Sequence, residues 1–289
     1  MKIAALQMNS QPDLQHNLDQ AAALVADAAA QGAELIGLPE NFAWLSEERL
    51  MAENVRAVGD AVRTALPAWA QKHGVYLLAG GYPLPAGGSS GKVFNRAELF
   101  APDGGLVAAY NKMHLFDVIV SEEEKYLESA YVQAGEAEPV TARIEMRPGN
   151  TSLEKKHPSE KEKPAGLTLG LSVCYDLRFP ELYRALVQRG ADLLCVPAAF
   201  TKKTGAAHWH LLLRARAVEN TAYVMAPAQA GLHGKKRETY GHAMIVNPWG
   251  EIIAEVTDGK PGVAIAEISP EFQADTRRRL PCLKHRRIS

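Results

Sequence analysis

The chain has 289 residues, of which 47% are hydrophobic and 22% charged, a balance that fits a globular protein and excludes a disordered one. Its formal net charge of −1 gives no electrostatic reason to expect nucleic acid or an anionic membrane as partner. Three scattered cysteines, Cys174, Cys195 and Cys282, exclude a disulfide framework and suit a reducing compartment.

The first residues, Met1 to Asn9, form a short apolar run broken at Gln7 and Asn9, without the ~7–15-residue apolar stretch of a secretory signal. No uncharged run approaches the ~18 residues that span a bilayer, so the expectation is a soluble, cytoplasmic chain. Residues 2–8 read as a buried strand. Leu14, Leu18, Ala21, Ala22, Val25 and Ala29 then recur at helical spacing, with Asp13 placed to cap the helix and Gly32 to stop it. Leu35–Leu38 is a second strand ending at Pro39-Glu40. A helix over Glu53–Lys72 and a strand over Val75–Ala79 follow. Phe94–Phe100 and Leu106–Tyr110 flank Pro102-Asp103-Gly104-Gly105, a strong hairpin signal.

Leu167–Val173 reads as a strand that delivers Cys174 at its end. Pro180 is placed to start a helix that runs to Gln188, and Asp192–Val196 is the next strand. A helix over His208–Asn220, a strand over Tyr223–Ala226, a hairpin of His242–Val246 and Glu251–Val256 around Asn247-Pro248-Trp249-Gly250, and a last strand over Gly262–Ile268 lead to a basic tail. Strand and helix alternate, but two hairpins rule out an all-parallel sheet. The reading is one α/β domain over residues 1–289 with helices outside and strands inside. The charged stretch at 147–163, with Pro and Gly and no periodicity, reads as an exposed, mobile loop.

Cys174 lies in a tight strand-to-helix turn, where backbone N–H groups and a helix N-terminus lower a thiol pKa and present a nucleophile. Taken alone, it is as readily a small buried apolar residue. Cys195 reads as core, and Cys282 has no supporting context. A cysteine nucleophile needs a base and a group to hold a developing oxyanion. Nine histidines are available and spacing selects none of them. Glu40 ends a buried strand, the edge where α/β folds place active sites. Lys112 follows the first hairpin.

Together, Leu38-Pro39-Glu40, Asn111-Lys112-Met113-His114-Leu115-Phe116-Asp117 and Gly170-Leu171-Ser172-Val173-Cys174-Tyr175-Asp176-Leu177-Arg178-Phe179-Pro180-Glu181 resemble, in order, the Glu, Lys and Cys motifs of the nitrilase (carbon–nitrogen hydrolase) superfamily. The resemblance implies a four-layer α-β-β-α sandwich, commonly paired into a homodimer or larger homo-oligomer, that needs no cofactor and no metal. It implies Cys174 as nucleophile, and Lys112 with the backbone N–H of Tyr175 as oxyanion holders. Glu40 would shuttle the proton to the leaving ammonia and then activate water. Glu128, in Leu127-Glu128-Ser129, would orient the lysine. The run from Gln229 through Gly250 and the Arg-rich ending resemble the Nit branch, most nearly its deaminated-glutathione amidases, with the sister ω-amidases as the alternative. The implied substrate is thus a small amide bearing a keto acid. His233, Lys236 and Arg237, in a glycine-flanked loop, are candidates for its carboxylates, and Phe200 for a pocket wall. Arg178 and Glu181 read as a structural pair.

Rival readings are weaker. Gly170-Leu171-Ser172-Val173-Cys174 has Cys where a serine-hydrolase elbow needs its last Gly. Gly91-Lys92 has Ala86 and Val93 where a P-loop needs Gly and Ser/Thr. His208 and His210 start a helix and diverge, which argues against a metal pair. A non-catalytic binding protein of the same fold is the alternative from a different class.

Overall fold

Alternation along one strand sets up two layers. In β1 (Lys2–Met8), Ile3 and Ala5 face one apolar core while Ala4, Leu6 and Met8 face another. The computed structural model describes residues 1–46, 48–87, 91–122, 124–145 and 166–288, so the charged stretch expected to be a mobile loop at 147–163 lies outside the described residues.

From β1 the chain runs through α1 (Leu14–Ala30) to β2 (Leu35–Gly37), α2 (Glu48–His73) and β3 (Tyr76–Pro85). Asp13 caps α1 by accepting from the N–H of His16 at 3.1 Å, and Gly32 beyond its end takes φ +88°, as expected. The hairpin of β4 (Val93–Phe100) and β5 (Leu106–Asn111) follows, then a small ribbon of β6 (Asp117–Ile119) and β7 (Lys125–Leu127). β8 (Thr141–Glu145) and β9 (Gly166–Leu171) pair antiparallel, and α3 (Pro180–Gln188) carries Pro180 in its first turn. β10 (Leu193–Cys195), α4 (Lys202–Asn220) and β11 (Tyr223–Ala226) complete a βαβ unit. The hairpin of β12 (Ala228–His233) and β13 (Arg237–Tyr240), the hairpin of β14 (Met244–Val246) and β15 (Ile252–Glu255), β16 (Gly262–Glu267) and α5 (Pro270–Arg279) close the chain.

Two mixed sheets result. The first has the order β13-β12-β1-β2-β3-β4-β5, with β16 antiparallel against β1. The second has the order β15-β14-β11-β10-β9-β8. One face of the first sheet packs under α1 and α2, where Val25, Val58 and Val62 are buried. Its other face meets the second sheet, whose far side is covered by Leu182 and Leu186 of α3 and Trp209 and Leu213 of α4. This is the expected helix–sheet–sheet–helix layering.

The boundaries differ from expectation in places. α4 starts at Lys202, not His208, so His208-Trp209-His210 lies inside the helix. The periodic apolar signal begins only where α4 crosses the core at Trp209, while its first turn is polar. β3 runs on to Pro85 past Ala79, because Gly80 and Gly81 form a bulge within the strand rather than ending it. The start of the basic tail is the helix α5, opened by Ser269, whose hydroxyl accepts from the N–H of Phe272, and by Pro270. Arg277 in it is anchored to Asp192 at 3.0 Å. Among the described residues no helix is long and apolar enough to cross a membrane.

Candidate active site

Four sequence-selected groups arrive from separate elements. Glu40 follows β2, Lys112 follows β5, Glu128 begins a short 3-10 turn after β7, and Cys174 opens another after β9. Close backbone approach makes the convergence possible. A Cβ on Gly80 would lie 2.2 Å from the Pro39 carbonyl oxygen, and one on Gly81 would lie 2.0 Å from Oδ1 of Asn95. Glycine at 80 lets β3 press against the segment bearing Glu40, and glycine at 81 leaves room for the Asn95 side chain.

Cys174 has φ +50°, a left-handed conformation that costs a non-glycine residue and is held by its surroundings. Its N–H donates to the Pro197 carbonyl at 2.9 Å. Asp176, two residues on and fully buried, accepts from the N–H of Val173 at 2.8 Å and from Tyr110 Oη at 2.7 Å. It also faces Nδ1 of His114 at 2.7 Å. Asp176 thus clamps the cysteine turn to the segment that presents Lys112. From the other side, Arg216 of α4 donates to the Leu177 carbonyl through Nε at 3.2 Å and Nη2 at 2.8 Å.

Inside this frame Lys112 Nζ lies 3.0 Å from Oε1 of Glu40, and 3.0 and 2.9 Å from the two oxygens of Glu128. Asn95 Nδ2 donates to Oε1 of both carboxylates, at 2.8 Å to Glu40 and 3.2 Å to Glu128. The Phe116 N–H donates to Glu128 at 2.6 Å, and the Ala199 N–H to Oε2 of Glu40 at 3.0 Å. The Cys174 thiol lines the same pocket as Glu40, close enough for the two to act on each other's charge. All four groups are buried.

Burial alone would strip Lys112 of its proton, but Glu128 first and then Glu40 hold its ammonium well above the ordinary value. Burial would likewise push the Glu40 carboxyl up. Lys112, Cys174 and Arg237 outweigh it, and the carboxyl lies below its ordinary value. The thiol contradicts expectation. A helix N-terminus was expected to lower its pKa, yet burial and the charge of Glu40 push it well above ordinary, against the pull of Lys112. The resting site therefore holds a neutral thiol beside a carboxylate that can take its proton.

These groups open onto a pocket of about 510 Å³, counted to its mouth, that Tyr175, Phe200 and Arg237 also line. Arg237 sets its guanidinium 5.6 Å from the Tyr126 ring centroid, and its buried Nε has no hydrogen-bond partner among the described residues. The other two basic candidates fail. Residues expected to form a loop are the hairpin of β12 and β13, which turns His233 inward to Ser10 O at 2.7 Å and Thr239 Oγ1 at 2.6 Å, away from the pocket. Burial lowers its pKa to about 4, so it is no cation at neutral pH. Lys236 is exposed at the hairpin turn and does not line the pocket. The expected pairing of Arg178 with Glu181 is also replaced. Arg178 lies 3.2 Å from His208 Nδ1 and stands over the Tyr175 and Phe200 rings. Ser172 bonds Tyr183 Oη and the Cys195 carbonyl, which removes it as a nucleophile.

Sequence reasoning missed Asn95, Thr201 and Thr204. Thr201 and Thr204 line the pocket from the start of α4, which was placed too late in the chain. Asn95 carried a signal, an amide in the apolar strand Val93–Phe100.

A carbon–nitrogen hydrolase family model matches residues 2–278. The chain is 49% identical over 283 residues to the deaminated glutathione amidase of Synechocystis sp., covering 98% of this chain and 97% of that protein. Among solved structures, Nit3 of Saccharomyces cerevisiae, a member of branch 10 of the nitrilase superfamily, superposes with TM-score 0.80 at 29% identity, covering 100% of this chain and 97% of that one. A mutant amidase from Nesterenkonia sp. AN1, bearing a Michael adduct of acrylamide at its active site cysteine, gives TM-score 0.74 at 29% identity over 97% of this chain and 98% of that one.

Proposed function

The chain belongs to the carbon–nitrogen hydrolase family, and on that premise we propose that it hydrolyses deaminated glutathione to α-ketoglutarate and cysteinylglycine through a thioester on Cys174. One observation carries the reading: the thiol of Cys174, the carboxylates of Glu40 and Glu128 and the amine of Lys112 meet in one buried pocket.

In the first half-reaction Sγ of Cys174 attacks the amide carbonyl carbon while Glu40 takes the thiol proton. The carbonyl electron pair moves onto oxygen, where the Lys112 ammonium and the Tyr175 N–H stabilise it. The tetrahedral intermediate collapses, the C–N bond breaks, and Glu40 returns the proton to the departing amine. Glu40 then deprotonates water for attack on the thioester, and the released sulfur recovers a proton. Low solvent access strengthens each of these interactions. Glu128 grips the ammonium with both oxygens, so Lys112 points at the oxyanion as a fixed charge. Asn95 bridges the two carboxylates by donating to both. The free N–H of Arg237 suits a carboxylate of the keto acid.

The match over residues 2–278 supports reading the chain as a single catalytic domain. Exposed Leu211 and Val218 on α4 support assembly as a homodimer or larger homo-oligomer, which light scattering would test. Three free cysteines suit the cytoplasm. The substrate assignment is tested by comparing kcat/KM on deaminated glutathione and on α-ketoglutaramate. A large preference for the first is expected, and a large preference for the second would reassign the enzyme as an ω-amidase.

A further inference from the structure

Outside the pocket, one set of side chains converges in a way the hydrolytic reading does not use. His210 on α4, His242 before β14 and Glu255 at the end of β15 bring one ligand atom each within 4.8 Å of one another. His210 Nε2 lies 2.8 Å and His242 Nδ1 2.6 Å from the same oxygen, Oε1 of Glu255. We propose that these three side chains form a site for a divalent transition metal of the zinc class, bound by two imidazoles and one carboxylate with solvent as the remaining ligand.

Two imidazoles and a carboxylate are a zinc-type donor set that leaves a position open. About a quarter of each side chain is exposed, at 32%, 26% and 19%, which gives a metal a path in and a place for water.

The backbone supplies an independent observation. His242 is a non-glycine residue at φ +60°, a left-handed conformation that structures retain where something over-determines it. The Trp209 Nε1–H bond to the His242 carbonyl at 2.9 Å holds that turn, and the Tyr240 ring stacks on the imidazole with centroids 4.4 Å apart. Both contacts aim Nδ1 at Glu255. Around a tetrahedral zinc with bonds of about 2.0–2.2 Å, neighbouring ligand atoms lie roughly 3.3 Å apart. Binding therefore asks each imidazole nitrogen to draw back from the Glu255 oxygen by about half an ångström, within reach of the soft terminal torsions. The metal takes the place of the two imidazole N–H protons that face the carboxylate, each neutral imidazole carrying its proton on the other ring nitrogen instead, and it ties α4 to the β14–β15 hairpin.

The test uses the full chain, stripped with a chelator and titrated with zinc by calorimetry, with cobalt spectra as a second readout. One zinc per chain is expected, retained in Cys174→Ala and accompanied by a rise in Tm. His210→Ala and the milder His242→Gln, each checked for folding by circular dichroism, should weaken binding by more than the roughly 100-fold that loss of an outer-shell partner costs. No saturable binding at millimolar zinc would overturn the proposal. So would unchanged stoichiometry in both histidine variants, or a cluster that alters stability with pH but ignores zinc.

Discussion

At the pocket floor Glu40 and Glu128 share Lys112, and where α4 meets β15 the single carboxylate of Glu255 faces His210 and His242. Both clusters join acids to nitrogen bases at hydrogen-bond distance, and both draw residues from distant parts of the chain. What separates them is water. In the pocket the ammonium is 2% exposed, so each charge depends on its neighbours and removing one strands the others. At the rim the same kind of contact is screened, and each group can fall back on solvent. Burial therefore couples the protonation state of each group to those of its neighbours, so a proton moved between two of them is felt by the rest.

The strongest way to break this comparison is Lys112→Ala. It should lower kcat by about 10²–10³-fold through loss of the oxyanion charge. It should also cost about 3–5 kcal/mol of stability, since two buried carboxylates lose their counter-ion. Steady-state kinetics and urea melts check both. Losses near those of an exposed pair would erase the distinction.

His233 extends the contrast to a buried imidazole. Its pKa falls to about 4 from an ordinary 6.5, so the unfolded chain takes up a proton in that window while the native one does not. The associated stability is complete above pH 6.5 and is lost as pH falls towards 4, about 3 kcal/mol in all. His233→Gln should flatten that limb of the stability–pH curve. An unaltered curve would show that the imidazole titrates alike in the native and unfolded chains.

Arg237→Gln removes a rim charge that serves substrate rather than fold. It should lower kcat/KM on keto-acid amides by roughly 10–100-fold, as expected for a charge-assisted hydrogen bond of ~1.5–3 kcal/mol. An amide without a carboxylate should lose less, and only through the charge that Arg237 lends to Glu40. Glu255→Gln, in the screened cluster, should change stability by only about 1 kcal/mol or less in zinc-free buffer. A larger loss would mean that exposure does not govern the two clusters as argued.

Much of this was readable before any coordinates. Asp13, Gly32 and Pro180 act locally, so their caps and stops could be placed from neighbouring residues alone. Glu40, Lys112 and Cys174 each end a strand or hairpin in a recognisable motif, and their order along the chain carried the resemblance. Asn95, Thr201 and Thr204 act only through contacts made across the fold, which spacing does not encode. The stretch from Ala228 to Tyr240 was misread because its glycines suggested a loop, whereas they sit in a hairpin that turns His233 inward and Arg237 toward the pocket. The thiol pKa was misjudged for the same reason. Helix position is visible in sequence, but the burial and the carboxylate that outweigh it belong to the packed core.

The central claim is that Glu40 transfers the proton of a neutral thiol so that Cys174 can carry the acyl group. Acid-quenched turnover of deaminated glutathione, digested and weighed by mass spectrometry, tests it directly. The account predicts that the Cys174 peptide gains the mass of the keto-acid acyl group, and that Cys174→Ala loses both adduct and turnover. An unmodified Cys174 peptide during turnover, with hydrolysis undiminished in Cys174→Ala, would contradict it.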